Sequence, residues 1–368
     1  MAKPSPITFH VPATAANLGP GYGVVALALD LPLGITVETR TDGVIQVERR
    51  DDPGAHLEDP RHDPVLRGLR RGAELCDLSL ARGLSVIVEG TIPRGTGMGT
   101  ISAGYAAGLG VAVRLGKKKP PANELLDALV PLGGDPAHGA AALLGGLCAT
   151  VQISTPNEPQ LRQRILQPPI HAEWHYVIAL PDVQLGTADM KRVLPPTLPH
   201  AVTSRSTGRA IGLLHALQHG DEALLRECIL DQIHLPYRRR LVPGLTEVLE
   251  AAVDGGAAGA TICGHGPGVI AFTRVAGRTA EIARAMVTAW AAAGRHATTL
   301  TLQTAHYGAL PAAPKPAGEG TPSRGGGARS RARAGGGREA DPGPAAGPRP
   351  CVPPGGEARG PRPGRPPP

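Results

Sequence analysis

An α+β fold is predicted for residues 1–310 by three observations. Runs of strand length alternate apolar and polar positions, as in Leu84–Glu89, where Leu84, Val86 and Val88 alternate with Ser85, Ile87 and Glu89. Helix-length runs, such as the small-residue stretch Thr100–Leu115, stand between them. Both kinds occur on each side of a break carrying Pro156, Pro159, Pro168 and Pro169. In chain order, the first block is predicted to hold strands at 7–11, 35–39, 44–48, 84–89 and 147–153, with helices at 65–76, 100–115 and 123–130. The second is predicted to hold strands at 176–180, 260–263, 269–273 and 298–303, with helices at 188–194, 204–218, 222–229, 245–253 and 279–293. The break sets the expected domains at 1–160 and 161–310, followed by a disordered tail at 311–368, and no internal repeat is visible.

That tail has 15 Pro and 14 Gly, and too little apolar surface to offset the entropy of ordering it. Its alphabet is that of G- and C-rich codons and suggests translation past the domain's own end; a basic arm gripping RNA is the alternative. With ten Lys/Arg against four acids, it also carries +6 of the formal net charge of +7. The remaining 310 residues are nearly neutral, and two Trp, five Tyr and two Phe are few for base stacking, which argues against nucleic acid as a partner. Cys76, Cys148, Cys228, Cys263 and Cys351 are scattered, odd in number and without a C-x-x-C pair, the usage of a reducing compartment. The chain opens on no secretory segment and holds no run of about 18 apolar residues. A soluble cytoplasmic protein is expected, with no membrane partner and with a homodimer left open.

Residues Pro93 to Ala103 read Pro-Arg-Gly-Thr-Gly-Met-Gly-Thr-Ile-Ser-Ala, joining a strand to a helix. Alternating glycines clear side chains from the path of a phosphate, and a helix starting at Thr100 aims free N–H groups and its positive dipole end at the same place. No G-x-x-x-x-G-K-[ST] exists in the chain, and Thr100 replaces the third glycine of G-x-G-x-x-G, so neither the Walker nor the dinucleotide pattern applies. Thr100 and Ser102 place hydroxyls where they cap the helix or touch phosphate. Asn17, beside Gly19-Pro20-Gly21, offers a donor and an acceptor to an amino-acid ligand or else forms an Asx-turn. His171/His175 and His215/His219 have i, i+4 spacing without the further ligand a metal site needs.

Two more segments extend the pattern: Val11-Pro-Ala-Thr-Ala-Ala-Asn-Leu-Gly-Pro-Gly-Tyr-Gly and Ala260-Thr-Ile-Cys-Gly-His-Gly-Pro-Gly-Val-Ile-Ala-Phe. With the glycine loop between them, their order and spacing resemble the GHMP small-molecule kinases, nearest to the homoserine kinases. Gly186-Thr-Ala-Asp-Met-Lys-Arg-Val-Leu-Pro and Asp231-Gln-Ile-His-Leu-Pro-Tyr-Arg support the resemblance, which covers about 7–305. It implies a ribosomal-protein-S5-like N-terminal domain and a ferredoxin-like C-terminal domain. It also implies transfer of the ATP γ-phosphoryl group to the homoserine hydroxyl, on the way to threonine. ATP, with Mg2+, would lie along Pro93, Arg94, Gly95, Thr96, Gly97, Met98, Gly99, Thr100, Ile101, Ser102 and Ala103. Thr100 would serve both phosphate and metal, and Arg238 the substrate carboxylate, as the catalytic pair. Asn17, His138, Thr187, Lys191 and Arg238 would contact the substrate, with Arg239 and Arg240 solvated.

The same resemblance exposes departures. The family's Asp facing the substrate hydroxyl is Gly23, its second loop serine is Ile101, and its metal-binding Glu is Gly133. Its substrate-facing Asn is His138, and a substrate-side Arg is Lys191, which keeps charge but loses bidentate geometry. Asp135 offers a carboxylate near Gly133, yet two residues along a helix is about 200° around it, so it substitutes only from a loop. Two readings follow: a working kinase with a divergent site, or a relative that binds nucleotide or amino acid as a sensor or partner.

Overall fold

Leu27, Leu29, Ile35 and Val37 lie along one long strand at the centre of a six-stranded sheet, and all are buried. The structure, a computed structural model, describes residues 5–50, 60–90, 92–155, 158–183 and 185–311, so the expected tail beyond Pro311 lies outside the described residues. The first half contributes β1 (Ile7–Ala16), β2 (Val25–Thr39), β3 (Ile45–Arg49), α1 (Pro64–Cys76), β4 (Leu84–Glu89), α2 (Thr100–Leu115), α3 (Ala122–Leu129), α4 (Pro136–Leu144), β5 (Leu147–Thr155) and β6 (Glu158–Leu166). Its sheet runs β3-β4-β2-β5-β6, with β1 paired to β2. The second half contributes β7 (His175–Pro181), α5 (Thr187–Arg192), α6 (His200–His219), α7 (Glu222–Cys228), α8 (Leu235–Arg238), α9 (Leu245–Asp254), β8 (Gly259–Ile262), β9 (Val269–Thr273), α10 (Thr279–Ala292) and β10 (Ala297–Leu302). Here the sheet is antiparallel, in the order β10-β7-β9-β8.

Helix α2 is buried on nearly every side from Ser102 to Val113, which its Ala- and Gly-rich sequence allows and an amphipathic helix would not. It packs against α1, where Gly68 faces the Tyr105 backbone and Gly108 faces the Val65 carbonyl, so the two helices approach to backbone contact. α1 starts cleanly because Asp63 accepts from Val65 N–H at 2.7 Å and Leu66 N–H at 3.1 Å, with Pro64 at the first helical position. In the second sheet, β7 is divided by its pleat. Tyr176 and Ile178 enter the main core, while Val177 and Ala179 join Ile282, Met286 and Trp290 of α10 in a second core. Each fully buried Leu, Ile or Val contributes about 1.5–3 kcal/mol relative to exposure.

β6, α4 and the short α8 were not expected, and β1 and β2 are longer than the strands expected at 7–11 and 35–39. The Pro-rich break at 156–172 contains β6, an edge strand that tolerates Pro159 near its start and pairs Leu166 through Arg162 with β5. α4 escapes periodicity because Gly139–Ala142 is buried all round; its start signals are the Asp135 cap and Pro136. The chain's later part also returns to the first half: Ala305 N–H donates to Ala28 O of β2 at 3.0 Å, and Ala309 N–H to Ala142 O of α4 at 2.8 Å. A division into two domains stays a proposal, and in strand terms its edge falls after Leu166.

Candidate active site

The glycine loop bends because Gly95, Gly97 and Gly99 take φ of 71°, 86° and 72°, a region other residues enter only at a cost. Space makes the same demand. A Cβ on Gly97 would run into the Cys263 carbonyl, and one on Gly99 into the Thr14 hydroxyl. Gly99 is the N-cap of α2 and no side chain caps the helix. Its first internal bond is Ala103 N–H to Gly99 O at 2.9 Å, which leaves the earlier N–H groups for a ligand. The capping role expected of Thr100 and Ser102 is therefore not taken up. Thr100 Oγ1 donates instead to Pro93 O at 3.3 Å, as does Thr96 Oγ1 at 2.8 Å, and this pins the loop's entry to its exit.

Beside this helix end lies a cavity of about 140 Å³. Of the expected nucleotide residues, Gly95, Gly97, Met98, Gly99, Thr100, Ile101 and Ser102 line it. Pro93 and Thr96 instead line a separate, open cavity against Leu180 and His296, Arg94 is exposed, and Ala103 is buried in α2. His138 and Lys191 are on the cavity wall, joined by Asp135 and His265. Lys191 is exposed and makes no ion pair with a described residue, whereas neighbouring Arg192 pairs with Asp189 at 3.3 Å. Thr187 opens α5, but its side chain lies outside the described residues.

Arg238 and Asn17 stand one layer behind the wall, both fully buried. Asn17 Nδ2 donates to Gly264 O at 3.0 Å and Oδ1 accepts from Gly23 N–H at 2.7 Å, so its amide ties two loops together from a fully buried position. Arg238 Nε donates to Met190 O at 3.2 Å, and Nη1 donates to Gly264 O at 3.1 Å and to His234 Nδ1 at 3.2 Å. Because Arg238 is always the donor, His234 carries its proton on Nε2 and gives it to Gly19 O at 3.0 Å. Asp231 holds the start of α8, accepting from the N–H groups of Ile233, His234 and Leu235. Nη2 of Arg238 is buried without an acceptor among the described residues. The guanidinium also lies over the Tyr22 ring, 5.2 Å from its centroid, which adds a cation–π contact to its hydrogen bonds.

Burial sets the charges here. It pulls the pKa of His138 and His234 down from 6.5, and that of Arg238 down as well. His265 falls to about 3, through burial first and then through the Arg238 charge. The three imidazoles are therefore neutral at neutral pH. His138 Nδ1 shares a 2.7 Å hydrogen bond with Thr14 Oγ1, wedged between Gly99 and Gly264. His265 was missed by sequence reasoning; the signal was a bulky polar residue inside the Gly264–Gly266 turn, where small residues alone would make the bend.

Among the described residues no group of three or more His, Cys, Asp or Glu is placed to hold a metal ion. The wall does gather Thr100, Ser102 and Asp135, hard oxygen donors that fit a cation brought in largely by phosphate oxygens and water. His171, His175, His215 and His219 serve locally: His175 Nδ1 meets Glu173 O at 2.9 Å, and the His215 and His219 rings stack at 4.1 Å. No helix among the described residues is long and apolar enough to cross a membrane.

Comparison with known proteins points the same way. Residues 213–294 match the family model described as GHMP kinases C terminal. A homoserine kinase from Prochlorococcus marinus (strain MIT 9515) is 32% identical over 287 residues, covering 77% of this chain and 89% of its own. Another, from Prochlorococcus marinus subsp. pastoris, is 32% identical over 291 residues, covering 78% and 90%. The crystal structure of homoserine kinase from Cytophaga hutchinsonii ATCC 33406 superposes with a TM-score of 0.71 at 25% identity, covering 84% of this chain and 98% of that one.

Proposed function

Since the chain belongs to the homoserine kinase family of GHMP kinases, we propose that it transfers the γ-phosphoryl group of ATP to the side-chain hydroxyl of L-homoserine. The products are ADP and O-phospho-L-homoserine, the precursor of threonine. The observation that carries this reading is the open N-terminus of α2 at the end of a loop with glycine at every second position, facing a walled cavity.

Phosphoryl transfer needs positioning and charge stabilisation more than covalent help from the protein. The first N–H groups of α2 hold phosphate oxygens, and Thr100 adds a hydroxyl beside them. Lys191, unpaired among the described residues, draws the substrate carboxylate to the wall, while Arg238 raises the positive potential from behind it. Neutral His265 lines the same cavity and brings no positive charge to it, and the proton of the acceptor hydroxyl leaves on the transferred phosphoryl oxygens. A Mg2+ ion bound with the nucleotide near Thr100 would supply Lewis-acid stabilisation of the phosphoryl charge.

The test is ADP release coupled to L-homoserine. Turnover well above the homoserine-free ATPase is expected. Turnover no faster than that background defeats the reading and leaves a relative that binds nucleotide or amino acid as a sensor or partner, the alternative that the bare Gly23 and Gly133 favour. Neither position is crowded, since an added Cβ at Gly23 meets nothing within 4 Å and at Gly133 it is 4.0 Å from the Tyr105 hydroxyl, but φ of 69° and 96° makes a side chain at either one strained. The double change Gly23→Asp with Gly133→Glu is expected to lower stability and to raise the rate of the folded protein, and no gain in protein shown to be folded by circular dichroism would mean that these positions do not face the reacting groups.

A further inference from the structure

We infer that Asp135 is the carboxylate this chain turns toward the divalent cation carried by the nucleotide, in place of the side chain that Gly133 lacks. This rests on the kinase reading above. The helical objection to Asp135 disappears in the structure. Gly133 ends a short 3-10 turn with φ of 96°, and Asp135 takes extended φ and ψ of −78° and 127° as the N-cap of α4. Residues 133 and 135 therefore lie in a loop, where the angular separation of a continuous helix does not apply.

The two carboxylate oxygens have different work. Oδ1 accepts from Ala137 N–H at 3.0 Å and His138 N–H at 3.1 Å, which fixes the side chain to the helix end. Oδ2 takes no hydrogen bond from any described residue, and Asp135 stands half-buried on the cavity wall with Thr100 and Ser102. A carboxylate anchored by one oxygen and open at the other suits Mg2+, which takes one or two carboxylates and completes its shell with phosphate and water. The geometry also separates the capping role from the ligand role chemically. Asparagine keeps the Oδ1 acceptor and the cap, but replaces the open oxygen with an amide nitrogen that carries no charge and cannot ligate.

The experiment measures Mn2+ affinity by electron paramagnetic resonance in the complex with the non-hydrolysable ATP analogue AMPPNP, for the full chain and for Asp135→Asn. Metal-free AMPPNP affinity is measured beside it by calorimetry. The variant is expected to hold Mn2+ at least tenfold more weakly, with metal-free AMPPNP affinity unchanged or slightly improved. Asp135→Ser, which also caps, is expected to behave alike; if Asn misfolds, Ser carries the test. Equal Mn2+ affinity in the folded variants overturns the assignment and leaves Asp135 as a cap. Failure of the unaltered chain to bind AMPPNP overturns both this assignment and the kinase reading, so the two failures are distinguishable.

Discussion

The wall of the cavity formed by Gly95 and residues 97–102 offers mainly backbone N–H groups, whereas the wall formed by His138, Lys191 and His265 offers side chains, backed by buried Arg238 and His234. A backbone amide is the same donor whatever residue carries it, so the first wall asks only that side chains be absent and that φ be positive. The second depends on each partner. Arg238 is held by Met190 O, Gly264 O and His234, and its charge adds to burial in lowering the pKa of His234 and His265. A substitution on the second wall therefore changes charge and reach, whereas one at Gly97 or Gly99 strikes the backbone course of the loop itself.

That contrast is open to direct attack. The largest effect is expected from Gly97→Ala, where a single methyl meets the Cys263 carbonyl and φ is 86°. A loss of about 2–5 kcal/mol in stability is expected, by urea unfolding, together with loss of AMPPNP binding. Normal binding by the alanine variant would show that the loop does not depend on bare backbone. Arg238→Ala comes next. It strips charged donors from three acceptors, so a loss of about 3 kcal/mol and a rise of about tenfold in KM for homoserine are expected, with AMPPNP affinity nearly unchanged. An equal loss of AMPPNP affinity would mean that the two walls do not act separately.

The smallest effect is read in pH. His265 is depressed from 6.5 to about 3, so above pH 6.5 it is neutral in both folded and unfolded chains. Below that the unfolded chain binds the proton first, and stability falls as pH drops toward 3. His138 and His234 act in the same direction. His265→Asn is expected to flatten the acid limb of the stability curve, recovering about 1 kcal/mol of the loss at pH 5.5. An unchanged slope would place the imidazole in contact with solvent.

Much of the fold was legible because local signals agree with tertiary ones. β4, β9 and α2 begin and end where their alternation and glycine boundaries place them. β6 and α4 were hidden for opposite reasons. Proline near the start of an edge strand imitates a linker, and a helix buried on all sides shows no period. At the site, the glycine loop was readable as a phosphate cradle, but the direction of each side chain was not. Asn17 carries the donor and acceptor an amino acid needs, yet it is fully buried with Nδ2 on Gly264 and Oδ1 on Gly23.

The amino-acid sequence by itself determined the α+β class, the strand–glycine loop–helix unit at 84–115, and the bare backbone at Gly95, Gly97 and Gly99, because these follow from local sterics and periodicity. It also set the family through the order of three segments. Tertiary structure alone decided that Arg238 stands behind the wall, that His265 stands on it uncharged, and that Asp135 leaves one oxygen free on a loop. The physical reason is distance along the chain. Burial, charge and the last free lone pair are set by residues such as Gly264, Met190 and Thr14 that meet only when the sheets and helices close around the cavity.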